Sequence, residues 1–408
     1  MYVSGEGLVK RSGDRILTTH TGSLPRPDDL LELLKAREAG QPIDAAAFHA
    51  RVREATFQVV RQQLDAGLDV INDGELGKID YSTYIKERLT GFEGETTANP
   101  GSREAKLFPG FWGQRGNGVG VPYIRRPTCT GPIAWRDFSA VERDIDNLKA
   151  AVAAAVAQGS RAPADVFMTA VSPGQAARFL GNTYYPTHEA YLRALGAAMK
   201  REYDAIARAG FILQVDCPDL ASGWNNMFFD ATLPQFLEKV ALHLDVLGEA
   251  TRDVPAGQLR LHLCWGNYNG PHVTDIPLKE ISGPGLGTRA GAISFEGANP
   301  RHEHEWALWK DVKLPPGKIL IPGVVDSTTS FVEHPELIAQ RIQRYADLVG
   351  RENVIAGVDC GFGTFAGRAG VHPEVVWAKL GAMVEGTDRK STRLNSSHTD
   401  ISRMPSSA

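Results

Sequence analysis

The sequence has little cysteine, no long apolar run and no block of charge of one sign. Only four of its 408 residues are cysteines, at positions 129, 217, 264 and 360, and no pair has Cys-x-x-Cys spacing. A disulfide framework is therefore not expected in a chain of this length, and scattered cysteines are usually core residues. No apolar stretch approaches the ~18 residues of a membrane-spanning helix, and the first residues lack the apolar centre of a signal peptide.

The charge balance excludes some classes of partner. With 44 Lys and Arg residues against 48 Asp and Glu residues, the formal net charge is −4, and no basic stripe stands out. This is not the pattern of a protein that binds nucleic acid or an acidic membrane surface. We therefore expect a cytoplasmic protein that acts on a small molecule. The sequence does not indicate an oligomeric state.

Short apolar stretches that end in polar or glycine-rich residues recur along the chain. Such runs of four to six apolar residues are typical of strands buried on both faces, as in a parallel sheet. Helical patterns lie between them: Asp44 is a candidate N-cap for one helix that Gly67 would follow, and residues 188–210 have the same pattern. Alternation of strands and helices predicts a (β/α)8 barrel. The predicted strands lie within residues 16–23, 67–75, 165–173, 211–218, 259–267, 292–299, 318–326 and 354–362.

Two segments interrupt this repeat. Residues 92–135 are rich in Gly, Pro, Arg and aromatic residues and predict an insertion after the second strand, which could be an active-site cover or a passive excursion. From residue 389 the chain becomes rich in Ser, Thr and Arg, loses its periodicity and resembles a translated sequencing adapter. We therefore predict a single barrel domain over residues 1–388 and a disordered tail over residues 389–408.

The pair His262 and Cys264 stands at the end of a predicted strand. Because alternate strand residues share a face, both side chains point the same way at the carboxyl end of the strand, where barrel enzymes place their active sites. Zinc takes about four N, S or O ligands, and the ends of two later strands offer Glu296 and Cys360. His262 and Cys264 alone are weak evidence, since such a pair is more often satisfied within a core than bound to a metal. Candidates at three strand ends of one barrel favour a metal site.

The stretch HEHEW contains two further histidines, His302 and His304. Asn299 and Pro300 predict the cap and first residue of a helix there. Residues two apart on a helix point about 200° away from each other, so these two cannot chelate one ion. We expect them on the helix surface or behind the metal ligands.

Six motifs together resemble the catalytic barrel of cobalamin-independent methionine synthase. They are THTGSLPRP at 19–27, NDGE at 72–75, QVDCP at 214–218, HLC at 262–264, SFEGAN at 294–299 and VDCG at 358–361. The likeness extends to about residue 388 and is closest to the short, single-barrel members of that superfamily, which also includes epoxyalkane:coenzyme M transferases. The resemblance implies zinc bound by His262, Cys264, Glu296 and Cys360. It also implies that Ser23, Glu75 and Asp216 hold the thiol substrate, which in the methionine synthases is homocysteine.

The chemistry of this ligand set agrees with the resemblance. A free thiol is mostly protonated at neutral pH, whereas a metal-bound thiol is deprotonated. Glu296 is the least soft of the four ligands, so we expect it to give way when a substrate sulfur binds. The resulting hypothesis is a zinc-dependent S-methyltransferase that moves a methyl group from a methyltetrahydrofolate-like or other donor to homocysteine.

Two other functions remain open. One is alkyl transfer or epoxide opening onto another thiol, such as coenzyme M. The other is a zinc-stabilised binding protein without catalysis. Structural zinc sites are normally closed by four firm ligands, and a mixed site at a barrel mouth argues against the second of these functions.

Several features depart from the family pattern. The full-length synthases have a second barrel that helps to hold the folate, and we find one barrel here. Where their seventh strand supplies a histidine acid, this sequence has Thr328, which leaves Asp326 or His20 as the candidate proton donor. Cys217 replaces a glutamate near the substrate site and Arg26 adds a positive charge, a balance that favours an anionic thiol without an ammonium group. Asp326 and Arg26 could equally be structural residues.

Overall fold

A computed structural model describes residues 10–96, 101–115, 123–368 and 370–401. Its centre is a sheet of eight parallel strands, in which the first strand pairs with the eighth and each strand from the third to the seventh pairs with the next. The second strand pairs with the third. The predicted (β/α)8 barrel is therefore confirmed. The strands, numbered one to eight in chain order, are Leu17–Thr18, Val70–Ile71, Asp165–Val171, Ile212–Asp216, Leu259–Leu263, Ala292–Phe295, Ile319–Val325 and Ile355–Val358.

Asp69 joins the first and second strands, which are only two residues long. Its N–H donates to Thr18 O at 3.2 Å, and Thr18 N–H donates back to the Asp69 carboxylate at 2.9 Å. Arg15 and Arg161 form ion pairs with the same carboxylate. A buried side chain thus supplies a hydrogen bond of the kind that a longer ladder would make between main chains.

Helices cover the outside of the barrel. The Asp44 carboxylate accepts hydrogen bonds from the N–H groups of Ala46 and Ala47, so the predicted cap is confirmed. Gly67 follows that helix with φ 87°, a conformation that glycine adopts without strain. None of the described helices is long and apolar enough to cross a membrane. The longer helices are Asp28–Glu38, Ala45–Asp65, Ser139–Ala157, Pro173–Phe179, His188–Arg208, Leu233–Ala250, Leu278–Leu286, Pro335–Val349 and Pro373–Ile401.

The connection after the sixth strand differs from the prediction. It is a 3-10 helix, Glu303–Lys310, rather than an α-helix. The predicted cap is also wrong: the helix has His302 at its N-cap position without a side-chain cap hydrogen bond, and the Asn299 side-chain oxygen accepts from the N–H groups of Arg301 and His302 in the turn before it. The His302 ring bonds to Glu305, three residues further on, at 2.9 Å. A contact between residues i and i+3 suits the tighter turn of a 3-10 helix.

The insertion lies after the second strand, as predicted. A short antiparallel hairpin, Phe92–Glu93 with Thr128–Cys129, forms its base. The described part beyond the hairpin contains the helices Arg103–Leu107 and Pro109–Arg115.

The last helix runs to Ile401, and the disorder predicted for residues 389–408 stays a prediction. Residues 402–408 lie outside the described part of the chain. Arg389 bonds to Glu385 one turn earlier, and neither Gly nor Pro occurs over residues 389–401. The local sequence therefore contains no strong helix breaker to end a helix that tertiary packing has already started.

The fifth strand places its polar side chains inside the barrel. Arg260 fills the interior: its Nε donates to Gln214 at 2.7 Å and its guanidinium lies 3.7 Å from the centroid of the Phe167 ring. Burial lowers the pKa of Arg260 to about 9. Because alternate residues of a strand share a face, His262 and Cys264 follow Arg260 on the interior side, towards the carboxyl end.

Candidate metal and substrate site

Three buried metal-ligating side chains converge at the carboxyl ends of the fifth and eighth strands. One ligand atom each of His262, Cys264 and Cys360 lies within 4.8 Å of the other two. The two sulfur atoms are 3.5 Å apart. The neighbouring Cys360 and then burial raise the pKa of the Cys264 thiol well above its usual range. Two thiolates this close are favoured only where a cation neutralises them.

His262 fits a metal ion because no described residue forms a hydrogen bond with its ring nitrogens. Both ring nitrogens are buried and have no hydrogen-bond partner within normal geometry. Burial and the charge of Arg260 lower the pKa of His262 to about 3, which leaves the imidazole neutral. A neutral imidazole and two sulfur atoms are donors that zinc prefers, and unpaired buried polar groups are costly without a ligand. The residues therefore fit zinc.

Glu296, the fourth predicted ligand, lies beside this group but outside the cluster of three. Its carboxylate accepts hydrogen bonds from Trp265 N–H at 2.7 Å and from the Asn299 amide at 2.8 Å. Trp265 follows Cys264 directly, so Glu296 stays next to the ligands. Burial and then the charge of Cys264 raise the pKa of Glu296.

Asp359 links two of the sequence motifs. Its carboxylate accepts hydrogen bonds from the N–H groups of Gly297, Ala298 and Asn299, each at 2.8 Å. It thereby ties the loop after the sixth strand to the residue before Cys360. A Cβ on Gly323, in the strand between them, would lie 1.9 Å from the Asp359 carboxylate, so glycine is required there.

Glu75 lies at the edge of a cavity that opens above the metal-ligating residues. Its backbone has φ 57°, which is uncommon for a residue other than glycine and typical of functional positions. The Asp73 carboxylate accepts from Glu75 N–H and holds this turn. Thr169 donates to one carboxylate oxygen at 2.8 Å, while the other is buried without a partner. A Cβ on Gly22 would lie 2.5 Å from this carboxylate.

Ser23 and Asp216 line the same cavity as Glu75, His262, Cys264 and Cys360. The structure thus brings together the three residues predicted for the substrate and three of the four predicted for the metal. Burial raises the pKa of Glu75, and burial followed by the charge of Glu75 raises the pKa of Asp216. Lys78 opposes both shifts, and its ammonium donates to Thr169 O at 2.7 Å. The cavity therefore favours an added positive charge.

Sequence reasoning missed several residues that line the cavity, above all Tyr81, Arg178 and Asn267. Asn267 donates to Gly361 O at 2.7 Å and bridges the loops after the fifth and eighth strands. Tyr81 accepts a hydrogen bond from the Gln175 amide at 2.7 Å. Tyr81 and Arg178 lie on connections between strands, where no sequence periodicity indicates the direction of a side chain.

Two candidates from the sequence take structural roles. His20 bonds to Gln63 at 2.8 Å and accepts from Gly22 N–H, and burial lowers its pKa to about 3, so it cannot be the proton donor near neutral pH. Arg26 donates to the carbonyl oxygens of Glu75, Lys78 and Gly363 and does not line the cavity. Its guanidinium hydrogen bonds hold these loops together and do not point to a substrate contact.

Cys217 and Asp326 also lie outside the lining of the cavity. The Cys217 thiol is fully buried, 3.5 Å from Val215 O, so its replacement of a glutamate does not alter the cavity wall. Asp326 accepts hydrogen bonds from the N–H and the hydroxyl of Thr328, each at 2.8 Å. Its role as proton donor stays a prediction.

The described part of the insertion packs over loops at the barrel mouth. Arg103 donates to Trp224 O at 2.9 Å and its guanidinium stacks on the Trp224 ring. The buried Glu104 carboxylate accepts from the hydroxyl of Tyr268, in the loop that follows Cys264. These contacts pack the insertion against the loops that follow the fourth and fifth strands, and its role as an active-site cover stays a prediction.

The family model for the catalytic domain of cobalamin-independent synthase matches residues 16–108. The methionine synthase of Saccharolobus solfataricus is 25% identical over 91% of this chain and 93% of its own length. That of Sulfolobus acidocaldarius is 23% identical over 91% of each chain. These matches confirm the resemblance to the cobalamin-independent methionine synthase family.

Solved structures show the same fold. A B12-independent methionine synthase from Shewanella sp. W3-18-1, in complex with selenomethionine, superposes with a TM-score of 0.69 at 17% identity and covers 94% of this chain and 99% of its own. A putative vitamin-B12 independent methionine synthase from Listeria monocytogenes gives a TM-score of 0.62 at 20% identity, covering 92% and 98%.

Proposed function

We propose that this protein is a zinc-dependent methyltransferase that transfers a methyl group to the thiol of homocysteine. One observation carries the proposal: His262, Cys264 and Cys360 present ligand atoms within 4.8 Å of one another in a cavity that also contains Glu75 and Asp216. A thiol-activating centre and a site for an amino group are thus adjacent. The relatives named methionine synthase support the same reaction.

His262, Cys264 and Cys360 would hold the zinc ion, with Glu296 as the fourth and exchangeable ligand. When bound, zinc supplies a Lewis acid that keeps a thiol deprotonated at neutral pH. The hydrogen bonds from Trp265 and Asn299 keep the Glu296 carboxylate beside the ligands whether or not it is bound. Asp359 keeps the two loops in register while the substrate exchanges.

Glu75 and Asp216 would bind the ammonium group of the substrate, and Ser23 lines the same cavity. An ammonium group would pair with the free oxygen of Glu75 and relieve the repulsion between the two carboxylates. A thiol without that group, such as coenzyme M, would add no cation to the two buried acids, whose pKa values stay raised despite Lys78. This favours homocysteine over the alternative thiol.

Asp326 is the candidate acid that protonates the leaving group of the methyl donor. Thr328 donates to its Oδ1, so Oδ2 would carry the proton. A methyltetrahydrofolate-like molecule and a corrinoid both remain candidate donors, and only the former needs a proton on its leaving nitrogen.

X-ray absorption at the zinc edge tests the proposal directly. The purified protein is measured alone, with homocysteine and with coenzyme M. We expect homocysteine to replace an N or O ligand by a sulfur at about 2.3 Å. A zinc shell that ignores both thiols would reject the catalytic role, and a response to coenzyme M alone would select the alternative thiol.

A further inference from the structure

The cavity contains a positive side chain that the proposed chemistry does not yet use. Arg178 ends the helix Pro173–Phe179 and lines the cavity together with His262 and Cys264. The helix starts at the end of the third barrel strand, where the Ser172 hydroxyl accepts from Gln175 N–H at 3.0 Å. The last turn of this helix places Arg178 and Phe179 in the lining of the cavity.

Arg178 has only neutral partners in the described part of the chain. Its Nη1 donates to the Ser222 hydroxyl at 2.8 Å and to the Gln175 side chain at 3.4 Å. No carboxylate among the described residues forms an ion pair with it. Its Nε and Nη2 donate to no described residue, and Arg178 lies in the lining of the cavity, where a ligand could accept from them. A partly buried cation without a counter-charge is costly unless a ligand supplies one.

The ring of Phe179 helps to keep the guanidinium in place. Arg178 lies 5.0 Å from the centroid of that ring, and Arg126 from the insertion lies 4.6 Å from it. Two arginines therefore flank one aromatic side chain at the rim of the cavity. The positive charges of the two arginines add on this side of the cavity. An anionic group bound there would reduce the repulsion between them.

The lining of the cavity thus contains side chains of both charge types. Glu75 and Asp216 supply negative charge, and Arg178 supplies positive charge. We infer that Arg178 binds the carboxylate of the acceptor and makes the site selective for thiols that are also α-amino acids. An α-amino acid presents an ammonium and a carboxylate on one carbon. A single ligand of this kind would pair with the acidic residues and with Arg178. This inference rests on the proposed function and adds a residue that determines its specificity.

Homocysteine and two analogues, each of which lacks one of its charged groups, separate the contribution of the carboxylate from that of the ammonium group. They are homocysteine, homocysteamine, which lacks the carboxylate, and γ-mercaptobutyrate, which lacks the ammonium group. Binding to the zinc-loaded protein is measured by titration calorimetry. The change Arg178→Gln is expected to weaken homocysteine about 10- to 100-fold, as for a lost charge-assisted hydrogen bond, and to leave homocysteamine unchanged. The change Arg178→Lys, which keeps the charge, is expected to fall between Arg178→Gln and the wild type.

The matched control is Arg301→Gln, because Arg301 is exposed and its side chain donates only to Val273 O, at 3.3 Å, among the described residues. It should leave the affinities for all three thiols unchanged. Circular dichroism checks that each variant is folded, and Arg178→Lys allows the test even if Arg178→Gln does not fold. Equal losses for homocysteine and homocysteamine, or no loss for either, would overturn the role of Arg178 alone. A wild-type protein that binds none of the thiols would overturn the proposed function as well.

Discussion

The sulfur atoms of Cys264 and Cys360 lie 3.5 Å apart, although 96 positions separate them in the chain. Each follows a buried barrel strand, and the parallel order of the strands brings both strand ends to one rim. The ring of His262 joins them, and its nitrogens have no hydrogen-bond partner among the described residues. Two sulfur atoms and an imidazole nitrogen this close together are suited to bind one soft divalent cation.

Removal of one of these sulfurs should remove the metal. Cys360→Ser is expected to lower the affinity for zinc at least tenfold, because a serine hydroxyl is a much poorer ligand than a thiolate. Zinc content after dialysis against a chelator measures the effect. Cys129→Ser is the control, since Cys129 is buried in the hairpin of the insertion and its thiol bonds to Gly131 O. Equal zinc loss in both variants would contradict the assignment.

Neutralising Glu75 should weaken the binding of homocysteine. Glu75→Gln keeps the size of the side chain and its contact with Thr169, but it removes the charge that would pair with the ammonium group. We expect the dissociation constant to rise about 10- to 100-fold. The same change should leave γ-mercaptobutyrate nearly unaffected, which separates charge pairing from loss of shape. The exposed Glu54→Gln provides a control for solvent-facing charge.

Asp326 can be tested by a change of methyl donor. If it protonates the leaving nitrogen, Asp326→Asn should lower kcat with methyltetrahydrofolate about 10²- to 10⁴-fold. Turnover with methylcobalamin, whose leaving cobalt needs no proton, should not change. Thr328→Val removes only the hydroxyl that donates to Asp326 and is the control. Similar losses with both donors would indicate that Asp326 only supports the loop.

His272 should make stability depend on pH. Burial lowers the pKa of His272, but the hydrogen bond and charge of Asp275 outweigh it and raise this pKa to about 9. The protonated ring is therefore favoured in the folded state. Its stabilisation is fully present below about pH 6.5 and is lost as the pH rises through about 9, by at most ~3 kcal/mol.

Urea unfolding at about pH 6 and about pH 10 measures this change for the wild type and for His272→Asn. Asparagine tolerates the positive φ of 53° at this position, so the variant removes the titrating ring without adding backbone strain. The wild type should lose more stability than the variant between the two conditions. An equal loss of unfolding free energy in both proteins would show that the ion pair with Asp275 does not contribute to stability.

Much of the barrel follows from local patterns. Each strand is an apolar run that only a doubly covered sheet accommodates, and all eight were located from the sequence. The helix at Asp44 was predicted because its cap is a local interaction. The segment after Asn299 was predicted as an α-helix and is a 3-10 helix, since the contact of His302 with Glu305 and Asp275 depends on the fold.

The sequence by itself determined the barrel and the residue types at its rim, because strand periodicity and strand order set which side chains face the interior and where parallel strands end. Only the tertiary structure decided how those residues share their contacts. It bonded Arg26 to main-chain carbonyl oxygens and His20 to Gln63, and it placed Arg178 in the same cavity lining as Glu75. The direction of a loop side chain depends on neighbours that are distant in the chain, and no local pattern encodes them.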